Sequence, residues 1–188
     1  MVPCSFTAMR GRGKAAMRKT MIIPTYWCRS SGKCWQEGDA VYDHPTPVDQ
    51  EGTLERTLVS MQQFQEKDFK LVILICPTTP DVEDAAYEQV YRIVKRVKLR
   101  AETYLFTAGD LAAISRILKG AGLGDRGAAL LSMFGYSNVR NMCLLAATIL
   151  TADAALLIDD DEVFELPDFV PRSLEFLGRR VYGDVVHG

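Results

Sequence analysis

The chain has no long apolar run and almost no net charge, and each of these absences argues against a class of protein. No uninterrupted apolar stretch approaches the roughly 20 residues that a membrane-spanning helix needs, so we expect no membrane span. A net charge of −2 gives no general case for binding nucleic acid. With 188 residues, 48% of them hydrophobic, the chain is long enough for one globular domain with its own core.

The five cysteines form no recognisable disulfide or metal pattern. Their number is odd and they are scattered, which suits a reducing, cytoplasmic compartment better than a disulfide framework. Cys28, Cys34 and His44 could be considered as zinc ligands, but their spacing matches no zinc pattern and no fourth ligand is evident. We therefore interpret the cysteines as structural thiols.

The first 20 residues differ from the rest because they are basic. They lack the apolar core of roughly 7–15 residues that a secretory signal requires. We expect residues 1–20 to form a disordered tail, with Met17 as an alternative start, and residues 21–188 to form the domain. An arm that contacts nucleic acid or anionic lipid is the functional alternative. The cations of the tail are Arg10, Arg12, Lys14, Arg18 and Lys19.

The most informative segment is an apolar run that ends abruptly in acids. Residues 154–158 predict a short buried strand, and Asp159, Asp160, Asp161 and Glu162 follow it. Ligands of open α/β sheets bind at the carboxyl ends of strands, and carboxylates clustered there repel one another unless a cation compensates. Mg²⁺ is commonly held by one or two carboxylates together with substrate phosphates. A solvated turn is the alternative, because acidic runs are usually surface segments.

Other motifs that the chain could contain do not fit. A Walker B element needs an upstream phosphate loop, but Gly32-Lys33 is followed by Cys34 and lacks the first loop glycine. The nucleophile motif of haloacid-dehalogenase-type phosphatases lies near the start of its domain, whereas only 27 residues follow Asp161. The glycines of residues 122–127 have dinucleotide-turn spacing, but they follow a predicted helix, so we interpret them as a flexible connector.

Strand and helix patterns alternate along the chain, which predicts an α/β fold with a Rossmann-like parallel sheet flanked by helices. Apolar runs predict strands at residues 21–23, 70–76, 101–106 and 154–158. Helical spacing predicts helices at residues 53–65, 81–97 and 110–118, and another that starts at Ser132 or Ser137 and ends at Leu150.

A long loop, residues 27–50, follows the first strand. It carries Trp27, Trp35, Tyr42 and His44 among glycines and prolines. Two interpretations stay open. The loop is a lid that closes over a ligand, or its tryptophans pin it to the core.

Three short segments together resemble a known family. They are Ile22-Ile23-Pro24-Thr25-Tyr26, Gly135-Tyr136-Ser137-Asn138-Val139-Arg140-Asn141 and Leu157-Ile158-Asp159-Asp160-Asp161. In this order and spacing they are similar to the signatures of family-2 glycosyltransferases of the GT-A fold, from residue 21 to about residue 168. The resemblance implies a nucleotide-diphospho-sugar transferase, inverting and dependent on Mg²⁺ or Mn²⁺, of which this chain holds the donor-binding half.

The resemblance also implies roles for individual residues. Arg140 would approach the donor diphosphate, and Asp161 would bind the metal that bridges it, while Asp159 would face the ribose or sugar. A metal and a cationic side chain stabilise the charge that develops on a departing nucleoside diphosphate. Thr78 or backbone groups would contact the base, because Cys76-Pro77-Thr78-Thr79 replaces the acidic segment common in the family. The implied donor-binding residues are Pro24, Thr25, Tyr26, Thr78, Arg140, Asp159 and Asp160, and the implied metal ligands are Asp159 and Asp161.

The acceptor half of the family is not represented. It follows the metal strand and carries the general base, and only residues 162–188 remain here. We expect a GT-A-type domain incomplete at its C-terminus, with an unknown acceptor and an unidentified base for which Glu175 and Asp184 are candidates only in principle. Apolar surface left exposed would favour a homo-oligomer. The alternative is a non-catalytic nucleotide-binding or oligomer-forming module that keeps only the donor half.

Overall fold

The structure, a computed structural model, describes residues 16–33, 35–178, 180–181 and 184–185. Most of the predicted basic tail and Cys34 therefore lie outside the described residues, as does the side chain of Asp184.

A parallel sheet forms the centre of the molecule, as the alternating pattern predicts. Its long central strand is β1, Lys19–Cys28. On one side of β1 lie β3, Lys70–Pro77, and then β4, Glu102–Phe106. The other side is shared by β5, Ala154–Leu157, along the first half of β1, and by β2, Thr46–Pro47, at its end. A small antiparallel pair, β6 Arg180–Val181 and β7 Asp184–Val185, follows.

Helices cover both faces of the sheet, so the predicted α/β class is confirmed. Odd-numbered residues of β1, such as Ile23, pack against α1 and α2, and even-numbered ones, such as Ile22, pack against α3 and α5. In the described part of the chain no helix is both long and apolar enough to cross a membrane. The helices are α1 Leu54–Ser60, α2 Glu83–Val97, α3 Ala108–Gly120, α4 Asp125–Ala128, α5 Tyr136–Ile149 and α6 Phe169–Ser173.

The first strand extends five residues beyond its predicted end at Ile23, through Pro24. The carbonyl of Ile22 accepts from Ile158 N–H (3.0 Å) and that of Cys28 from Val48 N–H (3.1 Å), so even-numbered residues of β1 face β5 and β2. Pro24 has the same parity but lies after the β5 ladder ends and before the β2 ladder begins. Its missing N–H therefore breaks no ladder hydrogen bond, and proline is compatible with this central strand.

The helix boundaries also differ from the predicted ones. Asp81 does not cap α2 with its side chain but lies in a single 3₁₀ turn, Pro80–Val82, that precedes this helix. By contrast, α3 begins with a capping box in which Thr107 and Asp110 bond reciprocally. Gly122 and Gly124 lie between α3 and α4, and Gly127 lies within the short α4, so these glycines do not lie between a strand and a helix and their interpretation as a connector is confirmed.

Candidate functional site

The acidic run lies at the point where the strand order of the sheet reverses. From β1 the chain adds β3 and β4 on one side, and then returns to place β5 on the other. The carboxyl ends of β1 and β5 diverge at this switch point, where ligands bind in open α/β sheets. A cleft of about 200 Å³ occupies it. Its lining residues are Tyr26, Asp43, His44, Thr53, Tyr136, Arg140, Asp159, Asp160 and Asp161.

Two carboxylates of the acidic run are exposed in this cleft. Asp159 Oδ1 accepts a hydrogen bond from Arg140 Nη2 at 2.8 Å, and about half of each side chain is exposed. This is the ion pair expected if Arg140 balances the acidic run, and it also puts a cation at the cleft. Asp161 is exposed and forms no ion pair within the described residues. Its carboxylate is therefore free to bind a cation from solution.

Asp160 points the other way, into the gap between β5 and β2. Its Oδ2 accepts from Thr25 Oγ1 at 2.6 Å, and the backbone N–H of Tyr26 donates to the same carboxyl group. Its carbonyl accepts from Thr57 Oγ1 at 2.8 Å. Burial, reinforced by Asp161 and Asp159, raises the pKa of Asp160 to about 6. These bonds fix the turn after β5 and hold Asp159 and Asp161 toward the cleft.

The remaining residues predicted to bind donor are divided among three places. Tyr26 lines the cleft. Pro24 and Thr25 are buried beneath it, and the Thr25 hydroxyl is already bonded to Asp160. Thr78 lines a neighbouring cavity of about 250 Å³, together with Trp35, Arg29 and other residues of the long loop. The structure therefore brings Tyr26, Arg140 and the acidic run together, and it places Thr78 apart from them.

Two tyrosines, Tyr26 and Tyr136, line the cleft, and Tyr42 packs against both of their rings. The ring of Tyr26 lies 4.5 Å from that of Tyr42 and 5.4 Å from that of Tyr136, measured between centroids. Burial raises the pKa of Tyr26 and of Tyr42, so both phenols stay protonated at neutral pH. The Tyr26 hydroxyl is buried and has no hydrogen-bond partner among the described residues. A buried hydroxyl in this condition is costly unless a ligand or water bonds to it.

The long loop is anchored at its C-terminal half. Tyr42 Oη donates to the Met133 carbonyl at 2.9 Å and accepts from Gly135 N–H at 3.0 Å, which ties the loop to the start of α5. The N–H of Ala40 donates to the Thr78 carbonyl at 2.7 Å. From the sequence, Tyr42 is recognisable only as one aromatic residue of the loop. Met133 and Gly135 are 91 and 93 positions away from Tyr42 in the chain, so no local sequence pattern reveals these hydrogen bonds.

The two tryptophans of the loop have different environments. Trp27 belongs to β1 and is 1% exposed, so it is part of the core rather than of the loop. Trp35 is 62% exposed and only its Nε1 is held, by the Asp39 carbonyl at 3.3 Å. Pinning is therefore provided by Tyr42 and not by a loop tryptophan.

The donor set of the cleft suits a hard cation that also binds phosphate. Among the described residues, no group of three or more His, Cys, Asp or Glu side chains is arranged to hold a metal by itself. Asp159 and Asp161 supply two carboxylates, which is what Mg²⁺ or Mn²⁺ uses when substrate phosphates and water complete its shell. Cys28 instead donates its thiol to the Pro45 carbonyl at 3.4 Å, and His44 is exposed beside Asp43.

Comparison with protein-family models, with curated proteins and with solved structures finds no significant match to this chain. The cleft, with the three segments of sequence that line it or lie beneath it, is therefore the feature of this chain that indicates a function.

Proposed function

We propose that this chain is the donor-binding part of a metal-dependent, inverting glycosyltransferase of the GT-A type. The observation that carries the proposal is the cleft at the strand-order switch point, where the exposed carboxylates of Asp159 and Asp161 face Arg140. A diphosphate is the ligand that such a mixed site suits, because its oxygens can bind a divalent cation and a guanidinium simultaneously. The sugar and the acceptor are not specified by these residues.

Each group of the cleft has a distinct part in this proposal. Asp161 and Asp159 would hold Mg²⁺ or Mn²⁺, which when bound neutralises charge on the diphosphate leaving group. Arg140 would exchange part of its bond with Asp159 for a phosphate oxygen. The unpartnered hydroxyl of Tyr26 would bond a polar group of the donor. Asp160 would not contact the donor and would act by positioning its two neighbours.

The nucleotide base would occupy the neighbouring cavity. Residues 42–45 contribute to both cavities, so a nucleoside diphosphate that extends past this segment reaches from the acidic cleft to Thr78. The Thr78 hydroxyl is buried and lacks a partner among the described residues, which makes it a candidate to bond the base. Trp35 is close enough to line the same cavity and offers an aromatic face for stacking.

The first prediction is that nucleotide binding depends on a divalent metal. Mn²⁺ should strengthen the binding of a nucleoside diphosphate, and Asp161→Asn should remove most of that gain because one of two carboxylate ligands is lost. Isothermal titration calorimetry with Mn²⁺ and with a chelator measures the difference. A donor present at a hundredfold excess over its Kd should stabilise the fold by about 2.7 kcal/mol.

Glu165→Gln is the matched control, since Glu165 is exposed nearby but does not line the cleft. It removes the same charge from the same segment and should leave the effect of Mn²⁺ intact. If the unmodified chain binds the nucleotide with equal affinity in Mn²⁺ and in chelator, the proposal is wrong.

A further inference from the structure

A second charged region lies at the amino ends of the strands, whereas the acidic cleft lies at their carboxyl ends. Residues 89–101, which form the end of α2 and the turn into β4, contain five cations and no acid, although the whole chain has a net charge of −2. The eight residues of β3 separate the two edges by roughly 25 Å. The donor site therefore does not account for this basic region. Its cations are Arg92, Lys95, Arg96, Lys98 and Arg100.

The position of two of these cations is explained by the helix to which they belong. Lys95 and Arg96 lie in the last turn of α2, where cations interact favourably with the helix dipole. Arg96 is also paired with Glu55 at 3.1 Å. Lys98 and Arg100 lie beyond the helix and form no ion pair within the described residues.

Lys98 and Arg100 instead line a cavity of about 340 Å³ together with Lys67, which comes from the turn before β3. Three cations from two segments of the chain thus line one cavity, whose apolar part includes the buried Met61 and Phe69. No carboxylate is among the described residues that line it. Lys67 Nζ is held by the Gln62 carbonyl at 2.8 Å, which fixes that charge at the cavity.

The carboxylates nearest to Lys67 in sequence are directed elsewhere. Glu66 Oε2 is bonded to Lys19 Nζ at 2.7 Å. Asp68 and Glu102 line the adjacent cavity, which Lys67 also borders. Among the described residues none of the three cations forms an ion pair, and none of the residues that line their shared cavity is acidic.

The backbone of Lys98 provides a second, independent observation. Its φ is +51°, in the left-handed region, and its N–H caps α2 by donating to the Val94 carbonyl at 3.0 Å. Glycine is the usual residue at this position of a helix end, because a side chain there is strained. The chain thus has a strained lysine where glycine would be more stable, and its side chain lines the cavity. Strain of this kind points to a function for the side chain.

We propose that Lys67, Lys98 and Arg100 bind a phosphate-type oxyanion at the amino-terminal edge of the sheet. A guanidinium offers paired donors to phosphate oxygens and the two ammonium groups add point charges, which is the combination that recognises phosphate. The phosphate belongs to a small soluble anion or to an anionic lipid headgroup. This second site is separate from the donor cleft and does not depend on its function.

The test uses pyrophosphate as the probe, titrated calorimetrically into the full chain in the presence of a chelator so that metal-bridged binding in the acidic cleft is suppressed. Lys98→Gly is the most informative variant. It should weaken pyrophosphate binding at least tenfold while raising Tm, because glycine relieves the left-handed backbone. A purely structural lysine would give the opposite change in Tm. Arg100→Ala should weaken binding similarly with Tm little changed.

Lys119→Ala is the matched control, because Lys119 is an exposed cation near the end of α3 and does not line the cavity. It should bind pyrophosphate as the unmodified chain does.

Co-sedimentation with phosphatidylglycerol and with phosphatidylcholine vesicles identifies the source of the phosphate. Binding to the anionic vesicles alone, reversed by pyrophosphate and lost in Lys98→Gly, indicates a lipid headgroup. Pyrophosphate binding without vesicle binding indicates a soluble anion. Wild-type affinity for both probes in Lys98→Gly and Arg100→Ala would overturn the proposal, as would equal loss in Lys119→Ala.

Discussion

Asp160 also lines the cleft, but it differs from Asp159 and Asp161 because its carboxyl group is partly buried and accepts hydrogen bonds from β1. The gap that it fills exists because β5 stops pairing with β1 at Ile22 and β2 starts only at Trp27. Backbone groups of β1 in this gap need a partner, and Asp160 supplies one to Tyr26. Three adjacent acids with one chemical identity therefore have two environments, which their sequence alone does not distinguish.

A pH prediction follows for Asp160. Folding raises its pKa from 3.8 to about 6, so between these values the folded chain holds a proton that the unfolded chain has lost. The free energy of unfolding should consequently fall as the pH rises from about 4 to 6, by on the order of 2–3 kcal/mol. Asp160→Asn keeps an oxygen that accepts from Thr25 and does not ionise, so it should flatten this slope. Urea denaturation at several pH values, with chelator present, measures it.

Asp125→Asn serves as the control for that experiment, since Asp125 is exposed at the start of α4. It should retain the slope of the unmodified chain. An Asp160→Asn variant with an unchanged slope would show that the pH dependence originates elsewhere.

A second prediction at the residue scale concerns Tyr42. Its hydroxyl satisfies two backbone groups, Met133 C=O and Gly135 N–H, and the side chain is 6% exposed. Tyr42→Phe leaves both groups without this partner and should destabilise the fold by about 1–3 kcal/mol. Tyr104→Phe removes a hydroxyl whose main partner is the exposed Glu102 and should cost much less. Equal losses in urea denaturation would show that Tyr42 does not anchor the loop.

At the scale of elements, the core strands could be predicted and the connections between distant segments could not. Continuous apolar runs locate β1 and β3, because a parallel strand buried on both faces needs an apolar side chain at nearly every position. The same signal locates β4 and β5, but β5 is only partly buried and not the fully buried strand that its apolar run predicts. The predicted end of β1 at Ile23 was wrong, since proline stops a strand only where a ladder bond is needed.

The candidate site was predictable to a similar extent. A strand that ends in acids indicates where a cation could bind, so the placement of Asp159 and Asp161 follows from their position after β5. The inward turn of Asp160 depends on Thr25 and Thr57, which are 135 and 103 positions away in the chain. The separation of Thr78 from the acids depends on how residues 42–45 cross between the two cavities. Neither feature has a local signal.

The turn into α1 supports a prediction about an element. Gly52 has a φ of +67°, and a Cβ added there would lie 2.6 Å from two atoms of the Thr46 side chain in β2. Gly52→Ala should therefore destabilise the fold by about 1–3 kcal/mol, through strain and displacement of β2. Gly120→Ala is the matched control, because a Cβ there meets no atom within 4 Å. It lies in α3, and alanine should stabilise it by up to about 1 kcal/mol. Differential scanning calorimetry should show a lower Tm for Gly52→Ala and a higher Tm for Gly120→Ala. Tm changes of the same sign in both variants would contradict this prediction.

Across the whole molecule, charge is divided between the two edges of the parallel sheet. The carboxyl ends of the strands carry the acidic cleft, and the amino ends carry the cavity lined by Lys67, Lys98 and Arg100. Because every strand of the main sheet runs in the same direction, loops at one edge cannot contribute to the other. Each edge can therefore bind a ligand of its own, and the variants proposed for one site should not alter affinity at the other.

The last prediction concerns association between copies of the chain. Among the described residues β5 pairs only with β1, so its second edge is open, and β5 ends at Leu157, which is 37% exposed. Val163 and Leu166, which follow in the same segment, are 48% and 50% exposed. Exposed strand edges and apolar side chains favour pairing with another chain. The protein should therefore self-associate at micromolar concentrations in sedimentation velocity.

Charge placed on this segment should oppose that association. Leu157→Lys and Leu166→Lys should each shift the distribution toward monomer, because burying an ammonium group against apolar surface is costly. Ile117→Lys is the control: Ile117 is 71% exposed on α3, on another part of the surface, and the same charge there should leave association unchanged. A monomeric unmodified chain at all micromolar concentrations would mean that the open edge of β5 needs no partner, and would remove the support for an oligomer-forming module.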